Sequence, residues 1–144
     1  MAGYLLDTNH ASPLVTLSHP LGGRILPKLD EGHSFAICVP VLTELLFGIG
    51  TLPRAAHNLR EWERLKPLLP CYVPDETDAE LAAELQISLR RRGRQLETVD
   101  ALISAVALRY ELILLTTDND FQAVPKLQLE NWLVVQADGA QEGR

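Results

Sequence analysis

Four acidic side chains stand alone in otherwise uncharged stretches of this sequence. Asp7 is the only Asp, Glu, Lys or Arg between positions 1 and 23, Glu44 the only one between 34 and 53, and Asp100 the only one between 98 and 108. Asp118 follows an uncharged run over 112–117. An ionised carboxylate in apolar surroundings is costly unless something compensates it. None of the four has a Lys or Arg close by in sequence, so compensation must come from the fold or from a bound cation. Carboxylates gathered in one place repel each other and raise one another's pKa, a conflict that a divalent cation removes. The chain has no CxxC, HExxH or Cys/His cluster, and an oxygen-only donor set favours Mg²⁺ or Mn²⁺ over Zn²⁺. Such ions activate water and stabilise in-line displacement at phosphorus. Each acid also has a plainer role open to it. Asp7 and Asp118 can cap helices, Asp100 can face the positive end of a helix dipole, and Glu44, opposite an apolar stripe, can be solvated. Asp120 and Glu97 are nearby acids that read as supporting or exposed groups.

The elements that must position these acids follow from the hydrophobic pattern. Residues 3–6, 34–39, 71–73, 112–115 and 132–135 read as short apolar strands. Between them run helical segments. One starts near Asn9, Ser12 and Pro13, and one over 20–31 should be bent or ended by Pro27. Another follows Pro40 with Val41, Leu42, Leu45, Leu46 and Ile49, and a further one covers 54–66. A helix opened by a capping box at Thr77 and Glu80 stops at Gly93, and the last covers 98–110. Short apolar strands alternating with helices predict an α/β fold: a central parallel sheet of four or five strands flanked by helices. Asp7 and Asp118 then fall at or just past the C-terminal ends of strands, the edge where open parallel sheets bind ligands. Glu44 and Asp100 fall near the starts of helices flanking that edge.

Length and composition bound the rest. The 144 residues amount to one domain, with 47% hydrophobic and 22% charged residues, which argues against disorder. Residues 1–135 form the expected domain and 136–144 a polar tail. No apolar run reaches the ~18–20 residues of a membrane helix, and the start of the chain lacks the pattern of a signal peptide. Cys38 and Cys71 sit in apolar runs and read as reduced core thiols of a cytoplasmic protein. The net charge of −6 excludes a whole-molecule basic footprint for nucleic acid. Any such contact needs a local patch, and Arg90, Arg91, Arg92 and Arg94 form the only dense basic cluster. They either close a helix in keeping with its dipole or clamp phosphates. His10, His19, His33 and His57 are scattered, and none receives a role.

Four segments resemble, in order, the motifs of the PIN-domain ribonucleases, and specifically the VapC toxins of bacterial toxin–antitoxin pairs. They are Leu5-Leu6-Asp7-Thr8-Asn9, Thr43-Glu44-Leu45-Leu46-Phe47-Gly48, the run that opens Asp100-Ala101-Leu102-Ile103, and Leu114-Leu115-Thr116-Thr117-Asp118-Asn119-Asp120-Phe121. The resemblance covers 3–135. It implies a Mg²⁺- or Mn²⁺-dependent endoribonuclease with Asp7, Glu44, Asp100 and Asp118 around the metal. Thr8, Asn9, Thr116 and Asp120 would orient them, with Asp118 favoured over Asp120 as the fourth acid. It further implies an RNA substrate, a VapB-type antitoxin partner and a homodimer. Other strand-end aspartate enzymes fit less well. A haloacid-dehalogenase-like phosphatase needs a second acid where Asn9 stands, and a receiver domain needs a lysine soon after Leu115, where the next is Lys126. A non-catalytic module that binds RNA or a protein is the rival of a different class.

Overall fold

A computed structural model describes residues 1–16 and 19–133. Five strands, β1 (Gly3–Leu6), β2 (Ser34–Cys38), β3 (Cys71–Tyr72), β4 (Ile113–Leu115) and β5 (Leu129–Glu130), form one sheet in the order β3-β2-β1-β4-β5. Every pairing is parallel. Leu5, Leu6, Ile37, Cys38, Leu114 and Leu115 are almost completely buried, as expected of strands covered on both faces. The chain leaves β1 toward β2 on one side and returns to β4 on the other. The strand order therefore reverses between β1 and β4, and a crevice opens beyond their C-terminal ends. Leu6 pairs with Leu115, which puts Asp7 and Thr116 side by side just past the ladder.

The helices are α1 (Thr8–Ala11), α2 (Pro20–Asp30), α3 (Val39–Thr51), α4 (Ala55–Leu65), α5 (Glu76–Arg91) and α6 (Thr98–Arg109). Short 3₁₀ segments cover Ser12–Val15, Lys66–Leu68 and Asn119–Ala123. Among the described residues no helix is long and apolar enough to cross a membrane. Helix α6 is buried on two sides. Ile103, Val106 and Ala107 join the core under the sheet, while Ala101 and Ala105 pack with Ala82 and Leu89 of α5. This double burial fixes the first turn of α6, where Asp100 sits.

Several elements differ from expectation. The fifth strand is Leu129–Glu130: the backbone of β4 and Thr116 bonds to Gln128 and Glu130, and Trp132 and Leu133, the described part of the expected strand 132–135, lie in a turn beyond them. Trp132 is buried against Tyr4 and Phe35, so its aromatic character reflects core packing rather than strand pairing. Residues 134–135 and the expected tail 136–144 lie outside the described residues. The capping box of α5 begins at Asp75, whose side chain accepts from the Asp78 N–H while Asp78 accepts from the Asp75 N–H. Aspartates at both positions do what Thr77 and Glu80 were expected to do. Pro27 lies inside α2 without ending it. The carbonyl it leaves unpaired belongs to Gly23, which is exposed and can be hydrated. Cys38 is buried, and burial pushes its thiol up to about 12. Cys71 is exposed, not a core thiol, because it opens an edge strand that only β2 covers.

Candidate active site

Asp7 is the N-cap of α1 and is 7% exposed. Three donors converge on its carboxylate: the Thr8 N–H on Oδ1 (2.9 Å), and the Thr116 hydroxyl (2.7 Å) and Asn9 amide (3.2 Å) on Oδ2. Burial raises its pKa, the Thr116 and Thr8 hydrogen bonds act against that, and Glu44 and Asp118 raise it further. Thr116 is itself fully committed. Its hydroxyl donates to Asp7 and accepts from the Asn9 amide (3.3 Å) and the Asp118 N–H (3.0 Å). Thr8 donates to Glu44 Oε1 at 2.6 Å, which ties α3 to the end of β1 and leaves Glu44 Oε2 without a hydrogen-bond partner among the described residues.

Opposite Asp7, carboxylate oxygens of Asp100, Asp118 and Asp120 all lie within 4.8 Å of one another. Asp118 caps the 3₁₀ turn by accepting from the Asp120 N–H at 2.9 Å, and that turn carries Asp120 back toward Asp100. The Asp100 carboxyl is pushed up to about 6, by burial first and then by Asp7, Asp118, Asp120 and Glu44. Five carboxylates thus share one crevice. Among the described residues none of them forms an ion pair.

The structure brings Asp7, Thr8, Asn9, Glu44, Asp100, Thr116, Asp118 and Asp120 together. The plainer capping roles of Asp7 and Asp118 are also real and coexist with the crevice. The arginines stand apart at the end of α5. Arg92 donates to the Ala123 carbonyl (3.4 Å) behind the 3₁₀ turn. Arg90 and Arg94 line a polar cavity of about 540 Å³ with Gln86 and Gln95. Gln86 bonds the Leu96 carbonyl and the Thr98 hydroxyl, linking that cavity to the start of α6 two residues before Asp100.

Sequence reasoning passed over His10. It is fully buried, held down to about 4 by burial and then by Arg24, and bonded between Asn9 and Trp132. Its partner Trp132 is 122 residues away, so no local pattern marked it. The one available signal was a histidine in an uncharged helix start.

An all-oxygen cluster, partly desolvated and with no ion-paired side chain among the described residues, suits a hard divalent ion. Asp100, Asp118 and Asp120 can supply its ligands, and the charges of Asp7 and Glu44 lie close enough to act on Asp100.

A parallel α/β domain with an acidic crevice at its strand-order reversal defines a class of carboxylate-site scaffolds. The PIN domain family model matches residues 4–127, and the chain belongs to that family. It is 31% identical over 100 residues to ribonuclease VapC11 of Mycobacterium tuberculosis, an overlap covering 68% of this chain and 72% of that protein. Its fold is similar to VapBC2 of Rickettsia felis, solved on promoter DNA, with a TM-score of 0.79, 24% identity and coverage of 90% and 98%. It is also similar to VapBC-5, from the VapBC family of toxin–antitoxin systems of Mycobacterium tuberculosis, with a TM-score of 0.61, 25% identity and coverage of 91% and 98%.

Proposed function

We infer that this protein is an endoribonuclease toxin of VapC type that hydrolyses RNA phosphodiester bonds at the acidic crevice. The observation that carries this reading is the convergence of Asp7, Glu44, Asp100, Asp118 and Asp120 at the strand-order reversal, none of them ion-paired to a Lys, Arg or His among the described residues. Mg²⁺ or Mn²⁺ would be held by Asp100, Asp118 and Asp120, with Asp7 beside them. When bound it supplies the positive charge that the crevice lacks and that a phosphodiester requires. The protein groups do the positioning. Thr116, Asn9 and the Thr8 N–H hold the Asp7 carboxylate in one orientation. Glu44, anchored through Oε1, offers Oε2 to take the proton of an attacking water. Arg90, Arg91, Arg92 and Arg94 give an acidic protein the local phosphate contacts that RNA affinity needs.

The similar solved VapBC structures support a VapB-type antitoxin as partner, and the family resemblance adds a second copy of the chain. Helix α3 buries Val41, Leu45 and Ile49 but exposes Leu46 and Phe47, the latter 71% exposed, and offers this apolar face to them. The buried reduced Cys38 and the VapC-like site fit a cytoplasmic protein.

The test is cleavage of a panel of structured RNAs with and without Mn²⁺ or Mg²⁺, with Asp7→Asn and Asp100→Asn beside the wild type. Metal-dependent cutting lost in both folded variants supports the assignment. Near-wild-type cutting by either variant overturns its role, and no cutting by the folded, metal-replete wild type favours a binding module.

A further inference from the structure

Two backbone N–H groups fix the direction of a hydrogen-bond chain that ends on Asp7. The Trp132 N–H donates to His10 Nε2 at 3.0 Å, so this ring nitrogen is an acceptor. The Thr117 N–H donates to Asn9 Oδ1 at 3.2 Å, so this end of the Asn9 side chain is its carbonyl. His10 Nδ1 lies 2.7 Å from the same oxygen. It must therefore carry the ring's proton and donate, because an unprotonated Nδ1 would set two acceptors against each other. The Asn9 amide nitrogen then has to face the other way, where it donates to Asp7 Oδ2 and Thr116 Oγ1. Neither backbone donor can be reversed, so no other arrangement satisfies the chain.

We propose that His10 is a positioning residue of the acidic crevice: as the neutral Nδ1–H tautomer it locks the Asn9 amide toward Asp7 and couples the segment after β5 to the site. The far end is anchored as well. The Arg24 guanidinium bonds the Trp132 carbonyl and lies 4.9 Å from its ring centroid. The ring itself packs on Tyr4 and Phe35. A rigid Trp132 N–H holds His10, and His10 holds Asn9. Without His10, the Asn9 side chain keeps only the Thr117 contact on its carbonyl and gains freedom to swing away from Asp7.

The inference rests on the ribonuclease reading only where it concerns turnover, so its test has readouts that need no RNA. Mn²⁺ affinity, measured by the electron paramagnetic resonance of the free ion, should fall measurably in His10→Phe, by less than the roughly 10–100-fold typical of losing a direct partner of a metal ligand. His10→Gln retains one donor and one acceptor and should recover part of the loss. With RNA, kcat should fall while KM stays within about 2-fold. In a double-mutant cycle with Asn9→Ala, the two losses of Mn²⁺ affinity should be far from additive. A folded His10→Phe protein with wild-type Mn²⁺ affinity, or fully additive losses, would overturn the proposal. Should His10→Phe fail to fold, imidazole ¹⁵N spectra of the wild type decide: the Nδ1–H tautomer supports the chain, and the Nε2–H tautomer sinks it. A wild type that binds Mn²⁺ through this network yet cuts no RNA would refute the ribonuclease reading and leave this one standing.

Discussion

At the residue scale, Asp100 and His10 are displaced in opposite ways that affect stability. Asp100 titrates near 6 in the folded protein, above an ordinary carboxylate. Between about pH 4 and 6 the native state therefore holds more protons there than the unfolded chain. Its contribution is complete below the unfolded value and is lost as pH rises through about 6. Asp7, also raised, acts in the same sense. His10 titrates near 4 instead of 6.5. Its contribution is complete above the unfolded value and is lost as pH falls toward 4. The two effects oppose each other, so metal-free wild type should show a shallow profile between pH 4 and 6.5 in denaturant unfolding. Asp100→Asn should uncover the His10 slope, with stability declining steadily as pH falls through this window. Mn²⁺ should do the same to the wild type by keeping Asp100 ionised. Identical profiles for Asp100→Asn and wild type without metal would contradict this account. The isolation of the acids was legible because a lone charge in an apolar stretch is visible in one dimension. The donors that hold Asp7 were half legible: Asn9 and Thr116 lie beside acids in sequence. His10 was not, because its partner comes from the far end of the chain.

At the element scale, the strands that carry the site were readable because fully buried parallel strands are short, unbroken apolar runs. Four of the five ended within a residue of the expected place. The last was misread because Trp132 and Leu133 supply core packing after the ladder has ended at Glu130. The α5 cap was misplaced by two residues because Asp75 and Asp78 cap each other and also bind Arg109. The Arg109 guanidinium lies 2.7 Å from Asp75 and 3.2 Å from the fully buried Asp78. This clasp joins the start of α5 to the end of α6 and so helps fix the helix that presents Asp100. Removing the cation leaves a buried carboxylate with hydrogen bonds but no counter-charge. Arg109→Ala should therefore destabilise the fold clearly, though less than breaking a fully buried pair, because Arg109 is itself partly exposed. Asp75→Ala, which removes the cap and an exposed partner, should cost less. Urea unfolding of both variants checks the order, and a larger loss from Asp75→Ala than from Arg109→Ala would refute the clasp.

At the scale of the whole molecule, the net charge of −6 works against a polyanionic substrate, and the acidic crevice makes it worse locally. Association must then depend on where the few cations lie. Four arginines within five positions at the end of α5 have, among the described residues, no carboxylate partner, and two of them line a polar cavity. Their helix-closing role is also satisfied: α5 opens with Glu76 and Asp78 and ends with Arg90 and Arg91, as the dipole favours. The two roles separate in how they depend on salt. A dipole contact changes stability and leaves RNA binding alone. A phosphate contact releases counterions, contributing roughly 0.7 to the slope of log affinity against log salt for a single strand. RNA binding should be measured in the Asp7→Asn background, which prevents cleavage in every arm. Arg90→Ala with Arg94→Ala should reduce the salt slope by roughly 1–2. Arg60→Ala, an equal change of charge per residue on the exposed side of α4, should leave it unchanged. Equal slopes in all three proteins would assign the cluster to the helix end alone and send the search for the RNA path to another face of the crevice.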